Sequence, residues 1–190
     1  MKITPTISII AIITMLLFQS CKKDDEYFGL SQEAKNLLLF EVGDTFQLRN
    51  HNTDEIITFT VDFKEIDFYK GGTGSSQMIS FGPKRDRFYE YGEYTFSDAS
   101  DCFKGSVVVL ATQTEEFDFR IGFLDICSDV LDGNFTTFEQ PLTDITIEGI
   151  LYTNVYSLRS YVENISYSAE KGILKIENIF DGELLFSIVE

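Results

Sequence analysis

The chain has 190 residues, a formal net charge of −16 at pH 7, 18 Phe and 9 Tyr without a tryptophan, and three cysteines. So acidic a balance argues against nucleic acid and anionic lipid surfaces as partners, because both would repel it. The aromatic content is far too high for a disordered polymer, and the length suits one domain with a core able to stand alone.

Lys2 precedes Ile7 to Phe18 (ISIIAIITMLLF), an unbroken, weakly polar run of twelve residues. As a helix it is about 18 Å long, short of the ~30 Å hydrocarbon layer, so it reads as the core of a secretory signal and not as a permanent span. The small Ser20 then precedes Cys21, and the charge run Lys22-Lys23-Asp24-Asp25-Glu26 begins immediately after it. LLFQSC resembles the lipobox of bacterial lipoproteins, with Phe18 and Gln19 where that family prefers Leu and a small residue, places at which Bacteroidota lipoproteins are loose. In that family the cysteine thiol is acylated by diacylglycerol, the signal is cut before it, and the new amino terminus is acylated too. KKDDE is similar to the lysine-then-acidic export signal of Bacteroidota surface lipoproteins.

The resemblance implies a signal peptide over residues 1–20, a tether over 21–29 and one domain over 30–190. It places the protein at the outer membrane, held by acyl chains on Cys21 and exposed at the cell surface. The plainer alternatives are a signal-peptide cysteine or an uncut anchor at Cys21, and a solvated linker at Lys22 to Glu26. Loss of residues 1–20, whose one charged side chain is Lys2, leaves 170 residues and a net charge of −17.

Ser31 is placed to cap a short helix over good helix formers, which ends before Gly43-Asp44. Thr45 to Asn50 then alternates with Phe46 and Leu48 on one face, and Ile57, Phe59, Val61 and Phe63 continue as a second strand. His51-Asn52-Thr53-Asp54 between them reads as a hairpin loop. His51, the single histidine of the sequence, reads as a solvated loop residue with no cysteine or second histidine to share a metal. Gly71 to Ser76 (GGTGSS) lacks the Gly-Lys-Ser/Thr and the following helix of a phosphate-binding loop, and reads as a turn between strands.

Lys84 to Phe96 (KRDRFYEYGEYTF) interleaves basic and aromatic residues. Here Arg85, Arg87, Tyr89, Tyr91 and Tyr94 are the candidate ligand-binding set: tyrosines that stack on sugar rings or fill a partner's groove, and arginines that hold carboxylates or sulfates. The competing reading is that tyrosine favours half-buried strands.

Gly105 to Ala111 and Phe117 to Ile126 read as a hairpin. Centred between Thr114 and Glu115, it sets Leu110 against Phe119, Val108 against Ile121 and Ser106 against Phe123 on one apolar face. Cys102 then falls opposite Cys127. With Cys21 assigned to lipid, these two cysteines are an even pair, and a disulfide between them is expected; the alternative is two buried thiols.

Asp125, Asp129 and Asp132 lack the spacing and bidentate glutamate of a calcium loop and read as a solvated turn. Asn134-Phe135-Thr136 and Asn164-Ile165-Ser166 match a eukaryotic glycosylation sequon and carry little weight behind a bacterial signal. Asp144 to Tyr156 is a further strand region. A closing hairpin around a three-residue loop, Phe180-Asp181-Gly182 with Gly182 in the left-handed region, sets Ile176 against Phe186 and Leu174 against Ile188. LSQEAKNLLLFEVGDTFQL near the start and NVYSL with ISYSAEKGILKIEN near the end resemble uncharacterised Bacteroidota lipoproteins, which implies a β-rich envelope protein and no particular activity.

The expectation is therefore a mainly β fold of about nine to eleven strands, an antiparallel meander forming a barrel, half-barrel or sandwich, with one short N-terminal helix. No cofactor and no metal are expected. The function expected is that of a lipid-anchored envelope lipoprotein, not an enzyme, binding a small ligand, glycan or protein partner. A purely structural envelope component is the alternative, and a hydrolase a lesser one, since the sequence has no Gly-x-Ser-x-Gly elbow and no assignable acid pair.

Overall fold

The structure is a computed structural model that describes residues 24–71, 86–114, 116–127, 136–138, 142–160 and 163–189. Twelve strands and one short helix are present among them: β1 (Glu26–Phe28), α1 (Gln32–Asn36), β2 (Thr45–Asn50), β3 (Glu55–Lys70), β4 (Arg87–Asp98), β5 (Phe103–Ala111), β6 (Phe117–Asp125), β7 (Thr136–Phe138), β8 (Thr143–Ile147), β9 (Ile150–Arg159), β10 (Glu163–Ser168), β11 (Gly172–Asn178) and β12 (Leu184–Ile188). The mainly β, antiparallel meander is as expected, with a single short helix near Ser31. Among the described residues most strands pair with a neighbour in the chain; β1 pairs only with β4, β7 passes over β8 to pair with β9, and β12 returns to β2.

Ladders also join β4 to β5, so the pairing runs from β2 through β12 and back around one core. The weakest part of that path is β7, which meets β6 and β9 through two residue pairs each. The result is a curled, sandwich-like sheet and not a regular barrel, filled by side chains and not by a lumen. Among the described residues β1 is the one parallel partner, lying beside the start of β4; Glu26–Phe28, expected within the tether, pairs with the sheet.

Aromatic rings dominate the interior. Phe59, Phe96 and Phe123 touch one another with centroids 5.6 to 6.2 Å apart, mostly edge to face, and Phe103 and Phe186 extend the chain of contacts. Such geometry satisfies the ring quadrupoles as well as the volume.

The N-terminal segment closes one end of this core. Ser31 accepts from the Ala34 backbone N–H at 3.1 Å and starts α1, as its position predicts. Leu30, Ala34, Leu37 and Leu38 are buried, and the segment is tied down by polar groups on the strands. Tyr167 donates to the Leu37 carbonyl, Lys64 donates to the Leu38 carbonyl at 2.8 Å, and Tyr156 donates to Glu33 at 3.0 Å. Glu90, buried on β4, accepts from the Leu30 N–H at 2.8 Å and from Lys35 at 2.7 Å. Gly92 makes the approach possible: a Cβ there would stand 2.1 Å from Leu38 Cδ1.

Three places differ from expectation in instructive ways: the register of one hairpin, the loop length of another and the phase of β3. In the β5–β6 hairpin the pairs are Val109 with Phe119, Val107 with Ile121 and Gly105 with Phe123, one residue away from the expected set. The turn is centred on Thr114, because Thr112 donates to the Glu116 carbonyl through both its N–H (3.3 Å) and its Oγ1 (2.7 Å). Val107 and Val109 therefore fill the core, while Val108 and Leu110 lie on the outer face. A one-residue slip reverses every side chain, and a run of three valines and a leucine is apolar in either phase.

The expected disulfide is present nonetheless. Cys102 and Cys127 lie just past the last ladder pair, with Cα atoms 5.1 Å apart. Ile126 donates to the Cys102 carbonyl at 2.7 Å, which draws the two ends together.

At the C-terminus Ile176 pairs with Phe186 as predicted, and Gly182 has φ +73°. The loop, however, spans the four residues 179–182, closed by Asn178 N–H to the Glu183 carbonyl at 2.9 Å. A bulge between Ile176 and Glu177 absorbs the extra residue and restores the predicted register. In β3 a second bulge, between Val61 and Phe63, turns Phe63 out of the core, where alternation from Phe59 had placed it; it is exposed.

Candidate functional site

The bulge in β3 also decides what the outer face of the sheet carries. Beyond it, Phe63, Glu65, Asp67 and Tyr69 point the same way as Thr95, Glu93, Tyr91 and Tyr89, with which they pair on β4. Across β5 and β6 the same face continues as Leu110 with Asp118, Val108 with Arg120, and Ser106 with Gly122. Two-residue steps along a strand cover about 6.8 Å, so Tyr89 to Ser97 spans roughly 27 Å of continuous surface.

One end of this face is aromatic. Tyr69 stacks on Tyr89 at 5.6 Å and meets Tyr91 edge-on at 6.1 Å. Phe28 of β1 stacks on Tyr89 at 5.0 Å. The hydroxyls are held in place: Tyr89 accepts from Gln113 at 2.6 Å, and Tyr91 donates to Glu65 at 2.9 Å. The Glu65 bond, more than desolvation, raises the Tyr91 pKa, so this phenol stays a neutral donor through the physiological range. Arg120 is tied to Asp118, whose hydrogen bond raises the guanidinium pKa against the opposing effect of burial; nearby Tyr69 adds to the rise.

The other end is a depression of about 590 Å³. Its floor is the cross-strand row Thr95, Ser106 and Gly122, three small residues where longer side chains would fill the space. Its rim carries Asp62, Glu93, Asp101 and Lys104. Ser97 donates to Asp62 at 2.7 Å, and Lys104 pairs with Asp101 at 3.3 Å. The β4–β5 turn beside it is fixed by Asp98. Burial works to raise that carboxyl, but bonds from Ser100 and Phe103 outweigh it and hold the pKa below the usual carboxylate value.

The candidate set from the sequence is thus divided. Tyr89 and Tyr91 lie on the outer face. Tyr94 lies on the other side of β4, fully buried, with its hydroxyl 3.2 Å from that of Tyr167; burial raises both phenols. Arg87 stands at the strand's edge and is paired with Glu26 at 3.0 Å, so it is not free to hold a sulfate. Arg85 lies outside the described residues, as do Cys21, Asp129, Asp132 and the Gly72 to Ser76 stretch.

Asp125 caps its own turn, accepting from the Cys127 N–H at 3.0 Å. His51 is not a solvated loop residue: its Nε2 lies 2.8 Å from Oγ of the buried Ser187. Among the described residues no group of histidine, cysteine or carboxylate side chains is arranged to hold a metal ion.

Sequence reasoning missed Tyr69, Gln113, Glu65 and the small-residue row. Strict alternation would have separated Tyr94 from Tyr89 and Tyr91, since residues two apart share a face and residues three apart do not. The partnership with Tyr69 has no local signal, because it depends on the bulge in another strand. Compared with known proteins, the chain matches no family model, no curated protein and no solved structure, so its own geometry carries the functional reading.

Proposed function

We propose that this is a lipid-anchored envelope domain that binds a neutral or amino-bearing glycan on the outer face of β3–β6, without transforming it. The observation that carries the reading is the run of tyrosine rings, Tyr69, Tyr89 and Tyr91, on the same face as a depression whose floor carries the Thr95 and Ser106 hydroxyls. Rings of this kind offer an apolar face to the C–H surface of a sugar, while Thr95, Ser97 and Ser106 and the rim carboxylates supply hydroxyl partners.

The charge favours this class of ligand over the sulfated or carboxylated one. Glu65, Asp67, Glu93 and Asp62 share the face, whereas Lys104 and Arg120 are paired with Asp101 and Asp118. Catalysis is not part of the reading. The carboxyl with a strongly raised pKa, Glu163, sits on β10 and is not in the lining of the depression. The anchor rests on the LLFQSC stretch and on the charge run that follows Cys21.

Three experiments test this reading. Titration of the full chain with neutral, amino and sulfated oligosaccharides should give binding to the first two, lost on Tyr91→Ala or on Ser106→Phe, which fills the depression. Equal binding by those variants, or a preference for sulfated sugars, overturns the site. Intact mass of the mature protein from native membranes should show acylation at Cys21, and protease shaving of whole cells should cut it; an unmodified Cys21 overturns the anchor.

A further inference from the structure

The inner face of β4 changes character along its length. Phe96 and Tyr94 are core, Gly92 and Glu90 carry the N-terminal segment, and Phe88 lies past that cover. There Tyr27 of β1 stacks on Phe88 at 4.9 Å and meets Phe68 of β3 edge-on at 5.7 Å. Tyr27 is 63% exposed, and Phe68 and Ile66 are exposed beside it. Four large apolar side chains are therefore gathered on the side of the sheet that faces the core elsewhere, and none of the described residues forms a core beneath them.

We propose that this tip, Tyr27, Ile66, Phe68 and Phe88, seats in the interfacial layer of the membrane that carries the Cys21 anchor, and so sets how the domain stands on it. The proposal rests on the anchor reading above. Its argument is the length of chain between the two: β1 begins at Glu26, five residues after Cys21. Five residues span at most about 18 Å, so an acylated Cys21 holds the tip within reach of the lipid headgroups.

Rings and branched aliphatics gain free energy in that layer, and a chain already tethered loses little further translational freedom on contact. Lys70 and Arg87 flank the tip, paired with Asp86 and Glu26. Because the mature chain is strongly acidic, contact with a zwitterionic surface is expected to exceed contact with an anionic one. Glycan binding on the opposite face of β4 is left unobstructed.

The absence of tryptophan from the sequence allows a single reporter. The acylated full-length mature protein carrying Phe68→Trp is reconstituted in phosphatidylcholine–phosphatidylethanolamine vesicles, with Phe180→Trp, exposed in the β11–β12 loop, as the comparison. Tyr27→Trp is a second reporter should Phe68→Trp disturb β3.

Phe68→Trp emission should shift to the blue and be quenched at least about twofold by lipid brominated near the headgroup, with Phe180→Trp unaffected. Vesicle-bound protein with an unquenched Phe68→Trp overturns the tip while leaving the anchor standing. Mature protein recovered from native membranes without acyl groups on Cys21 overturns both. A blue shift that follows protein concentration and not lipid means that a second copy covers the tip, and overturns the proposal as well.

Discussion

Tyr91 and Tyr94 stand three residues apart on one strand and have opposite fates. Tyr94 is sealed in the core, where its hydroxyl must find partners and does so through Tyr167, which in turn donates to the Leu37 carbonyl. Tyr91 lies on the outer face, its hydroxyl held by an exposed carboxylate and its ring left open. The same residue type is a structural element in one place and a binding element in the other. What separates them is the parity of the pleat and what happens to lie on each side.

The buried acids differ in another way. Glu90, on the inner face of β4, is buried but satisfied by an N–H and an ammonium group. Glu163 is 3% exposed, and its Oε1 has no hydrogen-bond partner among the described residues. Burial pushes its pKa from the usual 4.5 to about 7.

The comparison can be broken by mutation. The largest effect is expected at Tyr94: Tyr94→Ala should cost about 3 to 5 kcal/mol, from lost burial and the cavity left behind. Tyr91→Ala should stay within about 0.5 kcal/mol of the parent while abolishing glycan binding. Urea midpoints at fixed pH read both, and equal losses at the two positions would erase the distinction between faces.

The Cys102–Cys127 bond closes a separation of 25 residues. Replacing both cysteines by serine should cost on the order of 3 kcal/mol. Binding on the outer face should persist, since the β5–β6 ladder does not depend on the bond for its register. Loss of binding in a still-folded double variant would show that the bond positions the depression.

A comparable but pH-dependent effect is expected at Glu163. Below pH about 4.5 the proton is bound in both the folded and the unfolded chain, and the group costs nothing. As pH rises through about 7 the unfolded chain ionises first, so stability falls by up to roughly 3 kcal/mol and stays low above that. Glu163→Gln should therefore match the parent at pH 4 and exceed it at pH 8; a gain that does not vary with pH would mean that the carboxyl is hydrated in the fold. Smaller than that is Ser31→Ala, at about 1 kcal/mol from the lost cap of α1, measurable as a lower thermal midpoint.

Much of the fold was legible in the sequence. The β2–β3 hairpin, the Ser31 cap, the C-terminal register and the cysteine pair followed from alternation, turn residues and count. The binding face was half legible. Tyr89 and Tyr91 announce themselves in a run of alternating aromatics, but the bulge that brings Tyr69 beside them is specified by packing between strands and has no signature in its own residues.

Alternation fixes which residues share a face only where polar and apolar positions differ. In TFQLRN, and in LKI against FSI, they do, and the local pattern by itself determined the pairing. In GSVVVLA they do not, because either face is apolar enough to be buried. There the choice fell to the five-residue turn and to the aromatic core waiting for Val107 and Val109. The outer platform, the cover made by α1 and the uncovered aromatic tip were likewise decided only in three dimensions, since each depends on which distant segment arrives above a given side of β4.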